Sequence, residues 1–495
     1  MSKDTEVKGR KVDIPANPKQ RLAWQAWEND LVDDVVYGGA AGGGKTMLAC
    51  QVLTGTALKY PGSRQFLGRK ELKALMNTSF ITLTQKVFPQ YGLEQDKHWR
   101  YDGKYNVMHF KNGTYDDEST IAMLDLDQMP SDPLFQRFGS HEYTRGWIEE
   151  ASEVPFKAYD VLKSRVGRWQ NTERGIKSKL GLGLNPSQDW PYRMFYNVWV
   201  KAGRPTDPNK PLTSIEGFDA EGKLEKRTFV FIPALYTDNP FAAGEYAKNL
   251  ATLSDPVLKA RLMQGDWEYA SAADTLFDAS TIADLFTNQV KVSNDQFMTV
   301  DVARFGGDLI VITYWRGWEA HKIETYTMLA THQTADLVRT GMMRYGIPRE
   351  HVLVDADGVG GGVIDLLPGC IPFSGGSSPF GKVGEKDARE NYDNLRTQCA
   401  YHLAEMARAR KVAVSEMSLE VRELVAQDLQ QLKRRDVDKD GRLKIAKKED
   451  IKSALGRSPD IGDTLMMRSY FDLREREPEA FGGGTISVVI PDLGF

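Results

Sequence analysis

The chain has 495 residues, 41% of them apolar and 27% charged, with a formal net charge of −4. That length supports two or three domains with their own cores, and the composition is that of a folded globular protein. The near-neutral balance excludes a global basic field, and no apolar run approaches the ~18 residues of a membrane span. Cys50, Cys370 and Cys399 lie far apart and give neither a disulfide framework nor a zinc site. With no apolar signal segment after Met1, a reducing cytoplasm is the expected compartment.

Residues 1–16 are polar and expected to be loosely held. A helix is predicted from Pro18 to Trp27. On it, Gln20 has two readings: contact with an adenine, or membership of an amphipathic helix whose Trp24 and Trp27 enter the core. The apolar run Val35-Val36-Tyr37 leads into Gly39-Ala40-Ala41-Gly42-Gly43-Gly44-Lys45-Thr46, and a helical stretch over 45–59 follows. G-x-x-x-x-G-K-[ST] between a strand and a helix is the context of a P-loop. Gly39, Gly42, Gly43 and Gly44 let backbone N–H groups turn onto phosphate, and the helix N-terminus adds partial positive charge. Lys45 then reaches the β- and γ-phosphates, and Thr46 holds Mg²⁺.

A strand at 64–68 and further strand–helix alternation to about 228 predict an α/β domain with a mostly parallel sheet. An NTPase also needs acids at the end of a second strand. Trp147-Ile148-Glu149-Glu150 supplies them, although Arg145-Gly146 is poor strand filler. In that reading Glu149 is the Mg²⁺ acid and Glu150 the group that activates water; the alternative is a solvated Glu-Glu pair on a helix surface. Asn185, in Leu184-Asn185-Pro186, either senses the γ-phosphate or only makes a turn. Arg165 and Arg168 either neutralise phosphate or form surface ion pairs. Residues 230–275 read as a connecting subdomain, opened by a loop at Ile232-Pro233-Ala234-Leu235.

A second unit begins near 276. Apolar strands at 297–303 and 309–315 form a hairpin, with Tyr326-Thr327-Met328-Leu329 as a candidate third strand. A helix at 333–345, a strand at 351–355 and helices near 391–410 and 417–433 follow. Asp301 lies inside an apolar strand, Asp355 ends another, and Asp463 lies on a predicted helix. A charge in a core strand is costly unless paired or metal-bound. Acids in this order match an RNase H-like fold, where they converge on two metal ions that activate water against a phosphodiester. Asp308, Asp357 and Asp460 are second-rank ligands. Asp436-Val437-Asp438-Lys439-Asp440-Gly441 imitates an EF-hand, but its twelfth position is Lys447 rather than Glu. A hairpin between 432–435 and 442–445 is expected there, in the most basic region of the chain, with DNA contact favoured over a solvated charged surface.

Taken together, these motifs resemble the large subunit of a tailed-bacteriophage terminase. The resemblance covers roughly 17–475. It rests on Pro18-Lys19-Gln20, the P-loop, Ile148-Glu149-Glu150-Ala151, Leu184-Asn185-Pro186, Val300-Asp301, Val354-Asp355-Ala356-Asp357-Gly358-Val359-Gly360, Tyr392-Asp393-Asn394-Leu395-Arg396, and Ser458-Pro459-Asp460 with Asp463. It implies an ASCE-type ATPase at 17–229, a linker or lid at 230–275, an RNase H-like nuclease with a mixed sheet at 276–475 and a tail at 476–495. It further implies ATP with one Mg²⁺ at the first site, with Lys45, Thr46, Glu149, Glu150 and Asn185 in the ATPase roles. Two Mg²⁺ or Mn²⁺ ions are implied at the second, on Asp301, Asp355 and Asp463. The implied partners are double-stranded DNA, a procapsid portal and a small subunit. The implied state is a monomer in solution and a homo-oligomeric ring on the portal, in the host cytoplasm. Many relatives carry an Arg among the variable P-loop positions, which here are Ala40, Ala41, Gly42 and Gly43, so the source of a charge-stabilising cation is open. The competing readings are a helicase-type motor with a non-catalytic nucleic-acid-binding domain, and a P-loop kinase.

Overall fold

The computed structural model describes all residues except 1–11, 112–117, 130, 211, 219–222, 242–243, 270–273, 292, 304–307, 381–391, 416–417, 436–441 and 475–495. The polar N-terminus up to residue 11, the C-terminal tail and the EF-hand-like turn therefore lie outside the described residues. The chain divides into two compact units, one of 1–272 with 417–423 and one of 273–416 with 424–495. Among the described residues no helix is long and apolar enough to cross a membrane.

The first unit is built on nine strands: β1 (Asp34–Gly39), β2 (Arg64–Arg69), β3 (Trp99–Asp102), β4 (Val107–Phe110), β5 (Ser119–Asp125), β6 (Arg145–Ile148), β7 (Lys179–Leu184), β8 (Thr213–Phe218) and β9 (Leu224–Ala234). Their order is β3-β4-β5-β2-β6-β7-β1-β9-β8. From β5 through β9 the neighbours are parallel, and antiparallel pairs close the two edges. Such a parallel centre needs apolar strands covered on both faces, and β1 and β7 are buried along their whole length. One strand, β7, separates the P-loop strand β1 from the acidic strand β6, which is the ASCE-type arrangement. The helix Lys45–Lys59 covers one face through Leu48, Ala49, Val52 and Leu53, against Trp27, Val35, Leu67 and Trp147.

Two sequence readings change here. Arg145-Gly146 is strand after all. A Cβ on Gly146 would sit 2.1 Å from the Phe66 ring, so only glycine fits. Buried Arg145 donates to Lys177 O at 3.0 Å and lies over the rings of Trp27 and Tyr60. Ile232-Pro233-Ala234 is not a loop but the end of β9, paired to Tyr37, Gly38 and Gly39. Proline is tolerated because β8 pairs with β9 only as far as Phe229, so the missing N–H of Pro233 faces an unpaired edge.

An ion pair pins β1 to β9. Arg227 donates through Nε and Nη2 to the two oxygens of Asp34 at 2.7 and 2.6 Å, and the Asp34 side chain is fully buried. Arg227→Met would strand that carboxylate. We expect a loss of about 3–5 kcal/mol in urea unfolding at pH 7; a loss below about 1 kcal/mol would mean that Asp34 finds another partner.

The second unit holds β10 (Gln296–Asp301), β11 (Ile310–Arg316), β12 (Glu319–Tyr326), β13 (Val352–Asp355), β14 (Ile371–Phe373) and β15 (Ala413–Val414), in the order β14-β13-β10-β11-β12-β15. β10, β11 and β12 form an antiparallel meander, and β13 runs parallel to β10. This is the mixed sheet of an RNase H-like fold. The third strand lies earlier than Tyr326-Thr327-Met328-Leu329, because β12 is only half buried and its polar residues hide the pattern. Met298, Val300, Ile312, Val352 and Val354 pack beneath the helix Thr331–Tyr345. The basic hairpin is present as the short antiparallel pair Arg434–Arg435 and Lys444–Ile445.

Candidate active sites

The first site forms where β1, β7 and β6 end side by side. The helix Pro18–Glu28 starts with a capping box: Gln20 N donates to Asn17 Oδ1 at 2.8 Å and Asn17 N to Gln20 Oε1 at 2.9 Å. The same Gln20 side chain donates through Nε2 to Gly44 O at 2.9 Å. Gln20 thus has both ends of its amide engaged, Nε2 on the P-loop and Oε1 on the helix cap at Asn17, rather than presenting a free amide to a base. Trp27 is core, donating to Thr56 Oγ1 at 2.9 Å. Gly44 sits at φ 84°, in the left-handed region, and a Cβ there would lie 2.6 Å from Gln20 Nε2. Both facts demand glycine.

Lys45 is buried and donates to Ala40 O at 3.1 Å and to Asn185 Oδ1 at 2.7 Å. Burial pushes its pKa down, against the attraction of Glu150 and Glu149. Asn185 follows β7, between the P-loop and the acids, and its Nδ2 donates to Glu150 Oε2 at 2.5 Å. It therefore links Lys45 to Glu150, which a bare turn does not do. Thr46 Oγ1 donates to Glu149 Oε2 at 2.8 Å. The other Glu149 oxygen is buried with no hydrogen-bond partner. Burial first, then Glu150, pushes the Glu149 pKa up to about 7. A hydroxyl beside an orphaned carboxylate oxygen is a donor set that suits a hard divalent cation. Glu150 holds φ 45°, a left-handed conformation costing about 1–3 kcal/mol away from glycine. Keeping a Glu there fits a role for its carboxylate.

Residues after β9 wrap the same loop. Ala41 N donates to Leu262 O at 2.9 Å, and Asn239 Nδ2 donates to Gly42 O at 2.7 Å. Tyr246, Asn239, Thr82 and Lys86 line one cleft with Lys45, Thr46, Glu150 and Asn185. Sequence reasoning missed these four, since long-range neighbours leave no local motif. Arg165 and Arg168 are engaged elsewhere: Arg165 Nη1 donates to Gly139 O at 2.6 Å, and Arg168 pairs with Glu142 at 3.8 Å.

The second site lies at the C-terminal ends of β10 and β13. Parallel pairing of Val300 with Val354 makes Asp301 and Asp355 the next residues on adjacent strands, where strand spacing is about 4.8 Å. The helix Asp460–Met467 packs on β10 and β11. Thr464 and Thr313 hydroxyls, 2.8 Å apart in the core, fix its rotation. Asp460 and Asp463, three apart on that helix, share one face. One cleft of about 320 Å³ is lined by Asp301, Asp308, Asp355, Asp357, Asp460 and Asp463.

Cations and donors enter the same cleft. Lys448 Nζ is 2.8 Å from Asp463 Oδ2 and 3.7 Å from Asp301 Oδ2. Arg396 Nη2 is 3.4 Å from Asp463 Oδ1. Asp460 accepts Leu309 N at 2.8 Å, Asp308 pairs with Lys452 at 2.7 Å, and Asp357 accepts Ser374 Oγ at 3.0 Å. Among the described residues no group of three His, Cys, Asp or Glu side chains stands as a ready-made metal site. An ammonium sits among the acids instead. Yet Asp301 Oδ2 is buried without a hydrogen bond, and oxygen-only donors of this kind suit Mg²⁺ or Mn²⁺. Burial, and repulsion from Asp463, Asp460 and Asp355, push the Asp301 pKa well up against Lys448. Burial also raises Asp355 and Asp460. Asp463 goes the other way: despite burial, Arg396 and Lys448 hold it below the usual carboxylate range. Lys448 was legible only as one charge in a basic run, Arg396 only within a motif, and neither as a partner of the acids.

No protein-family profile matches the sequence, and no curated protein matches it. Solved structures do. The large terminase of the thermophilic bacteriophage D6E aligns at 12% identity over 92% of this chain and 98% of that one, with a TM-score of 0.41. A complex of the same protein with ATP-γ-S aligns at 11% identity over 91% and 100%, with a TM-score of 0.38. The nuclease domain of the large terminase subunit of bacterial virus Sf6 aligns at 20% identity over 39% and 98%, with a TM-score of 0.35. The chain resembles these proteins, and similarity at this level leaves the chemistry to be argued from its own residues.

Proposed function

We propose that this chain is a DNA-packaging motor of the large-terminase kind. In this reading an ATPase drives double-stranded DNA into a procapsid through its portal, and a metal-dependent endonuclease in the same chain cuts concatemeric DNA. The observation that supports it best is the coexistence of two centres in one chain. One is a P-loop whose Lys45 and Glu150 are joined through Asn185. The other is an acid-lined cleft on an RNase H-like sheet.

At the first centre, the glycines from Gly39 to Gly44 and Lys45 bind the phosphates of ATP. Thr46 and Glu149 would hold Mg²⁺. Glu150 orients water and takes its proton, and Asn185 reports phosphate occupancy to Glu150 because one amide touches both Lys45 and that acid. At the second centre, Asp301, Asp355 and Asp463 would hold Mg²⁺ or Mn²⁺, with Asp308, Asp357 and Asp460 in support. Divalent ions there supply an activated water and a Lewis acid for the leaving oxygen. Lys448 and Arg396 compensate the acids' charge, and the basic residues Lys433, Arg434 and Arg442 meet the DNA backbone. A small subunit and a ring of copies on the portal complete the machine.

The test is incubation of the purified chain with closed circular plasmid and millimolar Mg²⁺ or Mn²⁺, with and without ATP. Cleavage that needs metal but not ATP, with ATP hydrolysis stimulated by DNA, is the expected outcome. DNA-stimulated hydrolysis without any nicking would instead favour a helicase-type motor with a non-catalytic second domain.

A further inference from the structure

Hydrolysis of ATP builds charge on the oxygens of the γ-phosphoryl group, and P-loop enzymes meet it with a cation beyond the P-loop lysine. The variable positions of this P-loop, Ala40, Ala41, Gly42 and Gly43, offer none. We propose that Lys86 is that cation, acting in cis on the γ-phosphate within the same cleft as Lys45. The inference deepens the ATPase reading and rests on it.

Four observations carry it. The nucleotide cleft, about 390 Å³ in volume, has two cations in its lining, Lys45 and Lys86. Lys45 is already committed to Ala40 O and Asn185. Lys86 is exposed and, among the described residues, has no ion pair or hydrogen bond. Its placement follows from helical spacing. Leu83 and Val87 are buried against the core that includes the P-loop helix, which turns Thr82 and Lys86, four residues apart, together onto the cleft.

The charge balance agrees. Glu149 and Glu150 face the same end of the sheet as Lys45. Apart from the Mg²⁺ that Thr46 and Glu149 would hold, the cleft without Lys86 would meet a polyanion with a single lysine beside the two acids. During hydrolysis the water oxygen bonds to the γ-phosphorus and Glu150 receives the water's proton. The bond to the β–γ bridging oxygen breaks with its electrons leaving on ADP. A flexible lysine four methylenes long can follow the γ-phosphoryl oxygens through this step, and stabilises them most when their charge is greatest.

The experiment is Lys86→Ala and Lys86→Arg in the full chain, compared with wild type in steady-state ATP hydrolysis and in binding of ADP and of ADP with aluminium fluoride, a mimic of the transferring phosphoryl group. The expected result is a kcat about 100-fold or more lower for Lys86→Ala, with ADP affinity within about threefold of wild type. Affinity for the aluminium fluoride complex should fall in step with kcat, and Lys86→Arg should restore most of the rate. An equal loss of ADP affinity and kcat would make Lys86 merely structural and overturn the inference. A Lys86→Ala rate within about twofold of wild type would also overturn it, and a specific activity rising with protein concentration would then place the cation on a neighbouring copy. If wild type itself hydrolyses no ATP, it is the underlying ATPase reading that fails.

Discussion

Glu150→Gln is expected to bind ATP with near wild-type affinity and to hydrolyse it about 10³-fold or more slowly. Glutamine is nearly isosteric, so the left-handed backbone at φ 45° and the contact with Asn185 Nδ2 at 2.5 Å can both persist. What is lost is an acceptor able to take the water's proton, an effect worth several orders of magnitude in phosphoryl transfer. Lys45→Ala differs in kind. It removes the phosphate contact itself, so nucleotide affinity should fall with the rate. Fluorescent-nucleotide binding measured beside phosphate release separates the two variants. Undiminished hydrolysis by the Glu150→Gln protein would remove Glu150 from the site.

Asp301→Asn is expected to abolish DNA cleavage, leave ATP hydrolysis intact and raise the melting temperature in metal-free buffer at pH 8. Asp301 is only 3% exposed, and burial with three neighbouring acids drives its pKa up. A carboxyl raised in the folded state contributes most stability below its unfolded pKa, about 3.9. It loses that contribution as pH rises through the folded value. The gain from Asn should therefore appear at pH 8 and vanish near pH 4. Asp463→Asn should also stop cleavage but lower the melting temperature. Its pKa is held down by Arg396 and Lys448, so its ionised form contributes stability above the unfolded pKa, which is lost as pH falls. Thermal melts of both variants at the two pH values, with chelator present, check the opposite signs. The same sign in both would mean that the cations do not discriminate between the two acids as their geometry implies.

The parts legible in the sequence were those where local pattern and tertiary need agree. The helix over 45–59 and the strands around Asp301 and Asp355 read directly, because glycine spacing and apolar runs decide them. Strands such as Trp99–Asp102, at the sheet edge, and Val107–Phe110, next to it, did not, since their residues are only half buried. Pro233 looked like a breaker because nothing local says that its edge is unpaired. At the sites, motif residues were found and their supports were not. Gln20, Tyr246 and Lys86 reach the P-loop region from elements 24 to 204 residues away in sequence. The placement of Lys448 among the acids depends on where a whole hairpin folds back.

One crossed assay tests the account most directly. Lys45→Ala and Asp463→Asn are each assayed for DNA-dependent ATP hydrolysis and for metal-dependent plasmid cleavage, in the full chain. The account predicts a double dissociation: Lys45→Ala nicks plasmid without ATP but hydrolyses none, and Asp463→Asn hydrolyses ATP but leaves the plasmid closed. Loss of both activities in either variant, or survival of either activity in the variant that should abolish it, would contradict two independent centres on one chain.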